Sequence, residues 1–142
     1  MDAESRQPVV RSVLIIEDEP LLSLALADHL SGSGLRVQAS DGGKEGLHLA
    51  LLTKPDIILL DLIMPDLSGI GVLRKLRRDP WGSLVPVIVM TNLPSESKEE
   101  ASKGLGVAGY LLKSEHSLEQ IAQMVNDVLA APTVHLADSE NT

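Results

Sequence analysis

Short apolar runs alternate with amphipathic segments along most of the chain. Five runs rich in Val, Ile and Leu have the length of strands. The first, third and fourth are almost wholly apolar, which is typical of strands buried on both faces of a parallel sheet. The second alternates apolar and polar residues, as a half-buried strand does. The predicted strands cover residues 12–16, 35–39, 56–61, 85–90 and 107–112.

The first two strands are each followed by a segment with helical periodicity. The first predicted helix begins at Pro20, a residue that suits the first turn of a helix. The second is expected to start from a cap at Ser40 and Asp41, with Leu51 among the residues on its buried face. Both helices end before stretches that favour turns.

Three more helices are predicted further along, over residues 68–78, 95–103 and 117–130. The segment 95–103 is nearly all polar, so we expect it to be held loosely and to move readily. The last segment starts with the capping-box pattern Ser117-x-x-Gln120 and has a continuous apolar face.

Five strands that alternate with five helices predict an α/β fold with a doubly wound five-stranded parallel sheet. Right-handed crossovers favour the flavodoxin-like strand order 2-1-3-4-5. The expected domain covers 11–131, with flexible tails at 1–10 and 132–142. No second domain is expected within the chain.

Composition narrows the class of function. The 142 residues carry a net charge of −8 without a basic cluster, which argues against binding to nucleic acid or to a membrane surface. No apolar run reaches the length of a membrane span, and the polar N-terminus lacks the apolar core of a signal peptide. The expected compartment is therefore the cytoplasm, and the lack of cysteine excludes thiol chemistry.

Polar side chains stand where four of the five predicted strands end. They are Glu17 and Asp18 after the first strand, Asp61 at the end of the third, Thr91 after the fourth and Lys113 after the fifth. The carboxyl ends of parallel strands share one edge of the sheet, and these four strands are neighbours in the predicted order. We therefore expect the five side chains to surround one pocket.

Three clustered acids at this edge indicate a bound divalent cation. Carboxylates that lie close together resist joint ionisation, and a hard cation relieves the repulsion. A set of oxygen ligands suits Mg²⁺. Zinc is disfavoured because the chain has no cysteine and its four histidines, His29, His48, His116 and His135, lie away from these strand ends.

The same residues fit transfer of a phosphoryl group to Asp61. Aspartate is an established covalent acceptor, and a cation, a hydroxyl and an amine can stabilise the charge on the phosphoryl oxygens. Each residue alone has a plainer interpretation: Asp61 as a turn residue, the acid pair as favourable charges at a helix N-terminus, Thr91 as a cap and Lys113 as a solvated amine. Their joint position at successive strand ends favours a site.

The ordered set resembles the receiver domain of two-component response regulators over about residues 11–131. The resemblance rests on the acid pair after residues 13–16, on Asp61-x-x-Met64-Pro65 with Gly69, on Thr91 and on the run 109–113. The spacings also fit, with 43 residues from Asp18 to Asp61, 30 from Asp61 to Thr91 and 22 from Thr91 to Lys113.

The resemblance implies a phosphorylation-dependent signalling switch rather than an enzyme, with self-phosphorylation and slow autodephosphorylation as its only reactions. Asp61 would accept the phosphoryl group from a histidine kinase or a phosphotransfer protein. Asp18 and Asp61 would bind Mg²⁺ directly together with the backbone carbonyl of Ile63, and Glu17 would act through water.

On the same basis, Thr91 and Lys113 would contact the phosphoryl group, and Tyr110 would be the aromatic residue whose rotamer follows Thr91. An output protein would bind helix 95–103, strand 107–112 and the exposed side of helix 117–130. Two positions depart from the family pattern, with Asn92 in place of Ala or Gly and Ser114 in place of Pro.

Ile63 and Leu93 stand two positions after Asp61 and two after Thr91. The resemblance implies that side chains at these positions flank the water that hydrolyses the phosphoryl group. Both are apolar and branched, which predicts a long-lived phospho-aspartate. Two alternatives stay open at this point. One is a constitutive receiver-like interaction module that takes no phosphate. The other is a phosphatase with an Asp nucleophile. Such enzymes usually carry a second Asp two residues after the first, whereas this chain has Ile63 there, which argues against this alternative.

Overall fold

The computed structural model describes residues 9–92 and 103–131. Its five strands form one sheet in which every neighbouring pair is parallel, in the order β2-β1-β3-β4-β5. The strands are β1 (Ser12–Ile16), β2 (Arg36–Ser40), β3 (Ile57–Asp61), β4 (Val87–Thr91) and β5 (Gly109–Leu112). The predicted α/β fold class and strand order are confirmed.

Four helices lie within the described ranges. They are α1 (Pro20–Gly32), α2 (Gly43–Thr53), α3 (Gly69–Arg77) and α4 (Leu118–Ala130). The predicted capping box is present at α4, where Ser117 and Gln120 exchange hydrogen bonds of 2.8 and 3.1 Å. Most of the predicted helix 95–103, and Leu93, fall outside the described residues. None of the helices described is long and apolar enough to cross a membrane.

The core lies on both faces of the sheet. Successive side chains of each strand point to opposite faces and so contribute to the two layers in turn. On one face, residues such as Leu14, Ile58 and Val89 pack against α2 and α3. On the other, residues such as Ile15, Leu59 and Ile88 pack against α1 and α4. Strands β3 and β4 are buried throughout, as their apolar runs predict.

Four predicted details are wrong. Strand β5 begins at Gly109 rather than at residue 107, because the register of β4 with β5 sets residue 107 opposite Pro86, which lies before β4. Strand β4 begins at Val87 rather than at residue 85, because Pro86 has no N–H for the ladder and contributes only its carbonyl, to Ile58. Leu51 is 37% exposed because the buried side of α2 is narrow, with Ala50 as its fully buried apolar residue. The cap of α2 also differs from the prediction, as described below.

The Arg77 side chain closes the amino-terminal edge of the sheet. Its guanidinium donates to the carbonyls of Gly82 and Val85, at 2.6 and 2.9 Å, in the loop before β4. It also donates to the carbonyls of Leu105 and Gly106, at 2.7 and 3.1 Å, in the loop before β5. One side chain at the end of α3 therefore holds two loops together.

Candidate phosphoacceptor site

A cavity of about 260 Å³ opens at the carboxyl-terminal edge of the sheet. Its lining residues are Asp18, Glu19, Asp61, Ile63, Thr91, Asn92 and Lys113. The sheet order explains the grouping, because β1, β3, β4 and β5 are consecutive and each delivers a strand-end residue. A larger, more open cavity of about 490 Å³ lies between α1 and α2, and Glu17 is the only predicted site residue that lines it.

The three predicted acids come together at the inner end of the site. Glu17 is 1% exposed and Asp61 is 4% exposed, while Asp18 is partly exposed. One carboxylate oxygen of each lies within 4.8 Å of the others. Two nearly buried carboxylates beside a third are costly to ionise together unless a cation balances them.

Lys113 supplies positive charge to this cluster. Its Nζ lies 2.7 Å from Oε1 of Glu17, 3.1 Å from Oδ2 of Asp61 and 3.6 Å from Oε1 of Glu19. Among the described residues, the charge-assisted contact with Lys113 is the polar contact made by the buried Oε1 of Glu17. The other oxygen, Oε2, accepts a 3.0 Å hydrogen bond from the backbone N–H of Glu19.

The protonation of the cluster is set mainly by burial. Burial raises the pKa of Glu17 and of Asp61, and the hydrogen bonds and charge of Lys113 offset this only in part. Burial alone would lower the pKa of Lys113, but its hydrogen bond to Glu17 and the charges of both acids outweigh burial and raise it. The amine therefore stays charged, while the two carboxyls hold protons more tightly than free ones.

The arrangement fits a divalent cation. Three carboxylates present oxygen atoms within 4.8 Å of one another, and the single amine of Lys113 balances only part of their charge. An all-oxygen donor set with a partly exposed member suits Mg²⁺, which keeps several of its waters. The residues that would hold it are Asp18 and Asp61, with Glu17 behind them.

The loop after β3 runs along the rim of the cavity. The backbone N–H of Ile63 donates to Oδ1 of Asp61 at 3.3 Å, and its side chain is 59% exposed. Thr91 is fully buried beside Asp61 at the end of β4. Tyr110, the predicted switch residue, is half-buried and packs against the layer that includes α2 and α3.

Three features of the site are missed by the predicted set of site residues. Glu19 lines the cavity, and the acidic run 17–19 was the signal that could have revealed it. Asn92 lines the cavity too, and its Oδ1 accepts a 3.0 Å hydrogen bond from the backbone N–H of Ser114. The third feature is the contact that Asp66 makes with α2.

Asp66 caps α2 from a distance, so the predicted cap at Ser40 and Asp41 is wrong. The N-cap residue of α2 is Gly42, which has no side chain to offer. Instead, Oδ1 and Oδ2 of Asp66 accept from the backbone N–H groups of Gly43 and Lys44, at 2.9 and 3.0 Å. These two hydrogen bonds, that of Lys44 first, lower the pKa of Asp66. The loop that follows Asp61 is therefore tied to a neighbouring helix.

Comparison with known protein sequences agrees with this geometry. The sequence model described as the response regulator receiver domain matches residues 13–126. Protein PilH of Pseudomonas aeruginosa is 34% identical over 118 residues, which make up 83% of this chain and 97% of PilH. The KDP operon transcriptional regulatory protein KdpE of Escherichia coli is 42% identical over 102 residues, or 72% of this chain, and the match spans 44% of KdpE.

Solved structures share the fold. The receiver domain of the sensor histidine kinase PA1611 from Pseudomonas aeruginosa gives a TM-score of 0.78 at 24% identity, covering 87% of this chain and 100% of that domain. A magnesium ion is coordinated in the active site cleft of that protein. At this identity the likeness concerns the fold, and the chemistry at the strand ends rests on the residues present here.

Proposed function

The chain belongs to the receiver domain family of response regulators, and from this premise we propose that it is a phosphorylation-dependent switch with Asp61 as its acceptor. One observation carries the assignment. Asp61 is a nearly buried carboxylate whose Oδ2 lies 3.1 Å from the amine of Lys113, at a strand end where two further acids converge. A carboxylate used only to cap a turn needs neither the amine nor the acids.

The proposed reaction is a displacement at phosphorus. A carboxylate oxygen of Asp61 forms a bond to phosphorus, while the bond from phosphorus to the donor breaks and its electron pair leaves with the donor. The donor atom is the imidazole nitrogen of a phosphohistidine in a kinase or phosphotransfer protein, or the acyl-phosphate oxygen of acetyl phosphate. Lys113 is placed to balance the charge that the phosphoryl oxygens bring into the site.

Bound Mg²⁺ would supply the remaining positive charge and orient the phosphoryl oxygens. Asp18, Asp61 and the backbone carbonyl of Ile63 are the proposed direct ligands, and Glu17 the proposed ligand through water. Glu17 fits the indirect role because its Oε1 is already paired with Lys113 and lies at the buried side of the cluster. Thr91 and Tyr110 are the proposed switch pair.

The proposed partners are a sensor histidine kinase or phosphotransfer protein on the input side and an output protein on the other. The output surface we propose consists of the segment 95–103, strand β5 and the exposed side of α4. Strand β5 is the last strand of the sheet and is only partly buried, which supports its place in this surface.

Incubation with acetyl phosphate and Mg²⁺, followed by intact mass spectrometry, tests the assignment. Addition of one phosphoryl group is expected in the wild type and none in Asp61→Asn, which removes the acceptor and keeps its shape. Omission of Mg²⁺ should slow the reaction strongly. An unmodified wild type would instead favour a constitutive interaction module. Phosphate that appears on Asp18 or Asp66 of the Asn variant at the wild-type rate would show that Asp61 is not the acceptor.

A further inference from the structure

The two residues that depart from the family pattern are bonded to each other. Asn92 follows Thr91 at the end of β4, and Ser114 follows Lys113 after β5. The Oδ1 atom of Asn92 accepts a 3.0 Å hydrogen bond from the backbone N–H of Ser114. Proline at the second position would have no N–H to donate, and Ala or Gly at the first would have no acceptor.

This hydrogen bond extends the pairing of β4 with β5. Thr91 and Leu112 are the last register partners, and the N–H of Lys113 then donates to the carbonyl of Thr91 at 3.0 Å. Beyond that point the next N–H, that of Ser114, is taken by the side chain of Asn92. The side-chain amide of Asn92 thus provides one more hydrogen bond between the two segments after the backbone pairing ends.

The extended pairing lies between two groups that face the same cavity. Thr91 reaches it from β4 and Lys113 from beyond β5, and Asn92 itself is part of the lining. The ion pairs of Lys113 tie its amine to Glu17 and Asp61, which belong to β1 and β3. Those contacts fix the far end of the side chain, and the backbone N–H of Lys113 is bonded to the carbonyl of Thr91 in β4.

We propose that Asn92 and Ser114 form a latch that holds Thr91 and Lys113 at a set spacing for the phosphoryl group. The inference rests on the proposed function of Asp61, and it assigns Asn92 as a positioning residue that acts through its neighbours. Groups that are fixed before a charged ligand arrives need no reorganisation to bind it, so the latch strengthens phosphoryl binding. Of the proposed metal ligands, Asp61 ends β3, and Asp18 and Ile63 lie in the loops after β1 and β3. The hydrogen bond between Asn92 and Ser114 joins none of them.

Two variants break the latch from opposite sides. Asn92→Leu removes the acceptor at similar size, and Ser114→Pro removes the donor. Ser114→Ala keeps the backbone N–H and serves as the matched control. The affinities for Mg²⁺ alone and for beryllofluoride at saturating Mg²⁺ are measured by calorimetry in each protein and in the Asn92→Leu, Ser114→Pro double variant.

Each single variant is expected to bind beryllofluoride about five-fold more weakly, the size of one ordinary hydrogen bond. The Mg²⁺ affinity should stay at the wild-type value, and the double variant should match the single ones because both remove the same interaction. Ser114→Ala should bind beryllofluoride as the wild type does.

Wild-type beryllofluoride affinity in Asn92→Leu would overturn the latch, and so would additive losses or a parallel fall in Mg²⁺ affinity. If Ser114→Pro does not fold, Asn92→Leu decides alone. A wild-type protein that binds Mg²⁺ but no beryllofluoride would overturn the proposed function itself, and the latch with it. The two failures are therefore distinguishable.

Discussion

At the scale of single residues, Asp61 sits where its charge is costly. Burial raises its pKa, and a second acid, Glu17, is buried beside it. Asp61→Asn is therefore expected to raise the free energy of unfolding by about 1 kcal/mol at pH 7 in a chelator, since it removes the cost of burying a charged carboxylate beside other acids. Urea denaturation followed by circular dichroism measures this, with Asp28→Asn on the exposed side of α1 as control.

The stability gained by Asp61→Asn should depend on pH, because burial raises the pKa of Asp61 in the folded protein. Because the folded protein holds the Asp61 proton more tightly than the unfolded chain, acidification through the raised pKa stabilises the wild type. Asparagine does not titrate, so the advantage of Asp61→Asn should shrink as the pH falls from 7 towards 4. A variant that is less stable than the wild type at pH 7 would show that the ion pair with Lys113 outweighs burial.

Ile63 is expected to prolong the life of the phosphorylated state. Its side chain lines the cavity and is 59% exposed, so it stands at the mouth of the site without being able to orient a water. Ile63→Asn should speed loss of the phosphoryl group about five-fold, because a hydrogen-bonding side chain can direct an in-line water. Mass spectrometry after removal of acetyl phosphate follows the decay.

Ile63→Val retains a branched apolar side chain and is the control for that measurement. An unchanged or slower decay in Ile63→Asn would show that the side chain does not gate water. The matching prediction for Leu93 stays a prediction, since that residue lies outside the described residues.

At the scale of elements, Arg77 joins α3 to two loops. A lysine at this position cannot reach the carbonyls of Gly82, Val85, Leu105 and Gly106 together, because it lacks the planar fork of donors. Arg77→Lys is expected to lower the free energy of unfolding by about 2 kcal/mol, as the carbonyls of the buried residues Gly82 and Val85 lose donors. Urea denaturation tests this against Arg74→Lys, an exposed position on the same helix. Equal stability of the two variants would contradict it.

The strands and the site were predictable because both depend on short stretches of sequence. A run such as 57–61 is apolar enough to identify a buried strand, and parallel pairing then brings Asp61, Thr91 and Lys113 to one edge. The pattern needs no knowledge of distant contacts.

Contacts between distant segments were not predictable in this way. The cap of α2 comes from Asp66, 23 residues away from Gly43, while local propensity pointed to Ser40 and Asp41. Gly43 fits this packing because a Cβ atom there would clash with the carbonyl oxygen of Leu67. Likewise, the sequence marks Asn92 and Ser114 as two separate departures, and only the three-dimensional arrangement shows that they are partners.

At the scale of the whole molecule, the edge of the sheet where the strands begin differs from the edge where they end. The amino-terminal edge is tied by Arg77 and by a 2.7 Å hydrogen bond from the N–H of Ser12 to Asp56. The carboxyl-terminal edge carries the ionisable cluster, the cavity and exposed residues such as Asn92 and Ser114. We therefore expect a phosphoryl group to be sensed at one edge while the other keeps its structure.

Amide hydrogen exchange with and without beryllofluoride and Mg²⁺ measures this difference. Protection should increase around residue 92 and across 113–117, and should stay the same across 82–85 and 105–107. Samples with Mg²⁺ alone control for the metal. If beryllofluoride changes the protection at neither edge, the protein is a rigid module rather than a switch.

The single tryptophan of the chain lies at the tied edge. Trp81 is in the loop between α3 and β4, partly buried against the core and next to Gly82, whose carbonyl Arg77 binds. Its intrinsic fluorescence should therefore report unfolding of the whole domain and remain silent when a cation or a phosphoryl group enters the site at the opposite end of β4. Titrations of the site will need an introduced fluorophore near residues 113–117, with the native emission as a built-in reference for integrity of the fold.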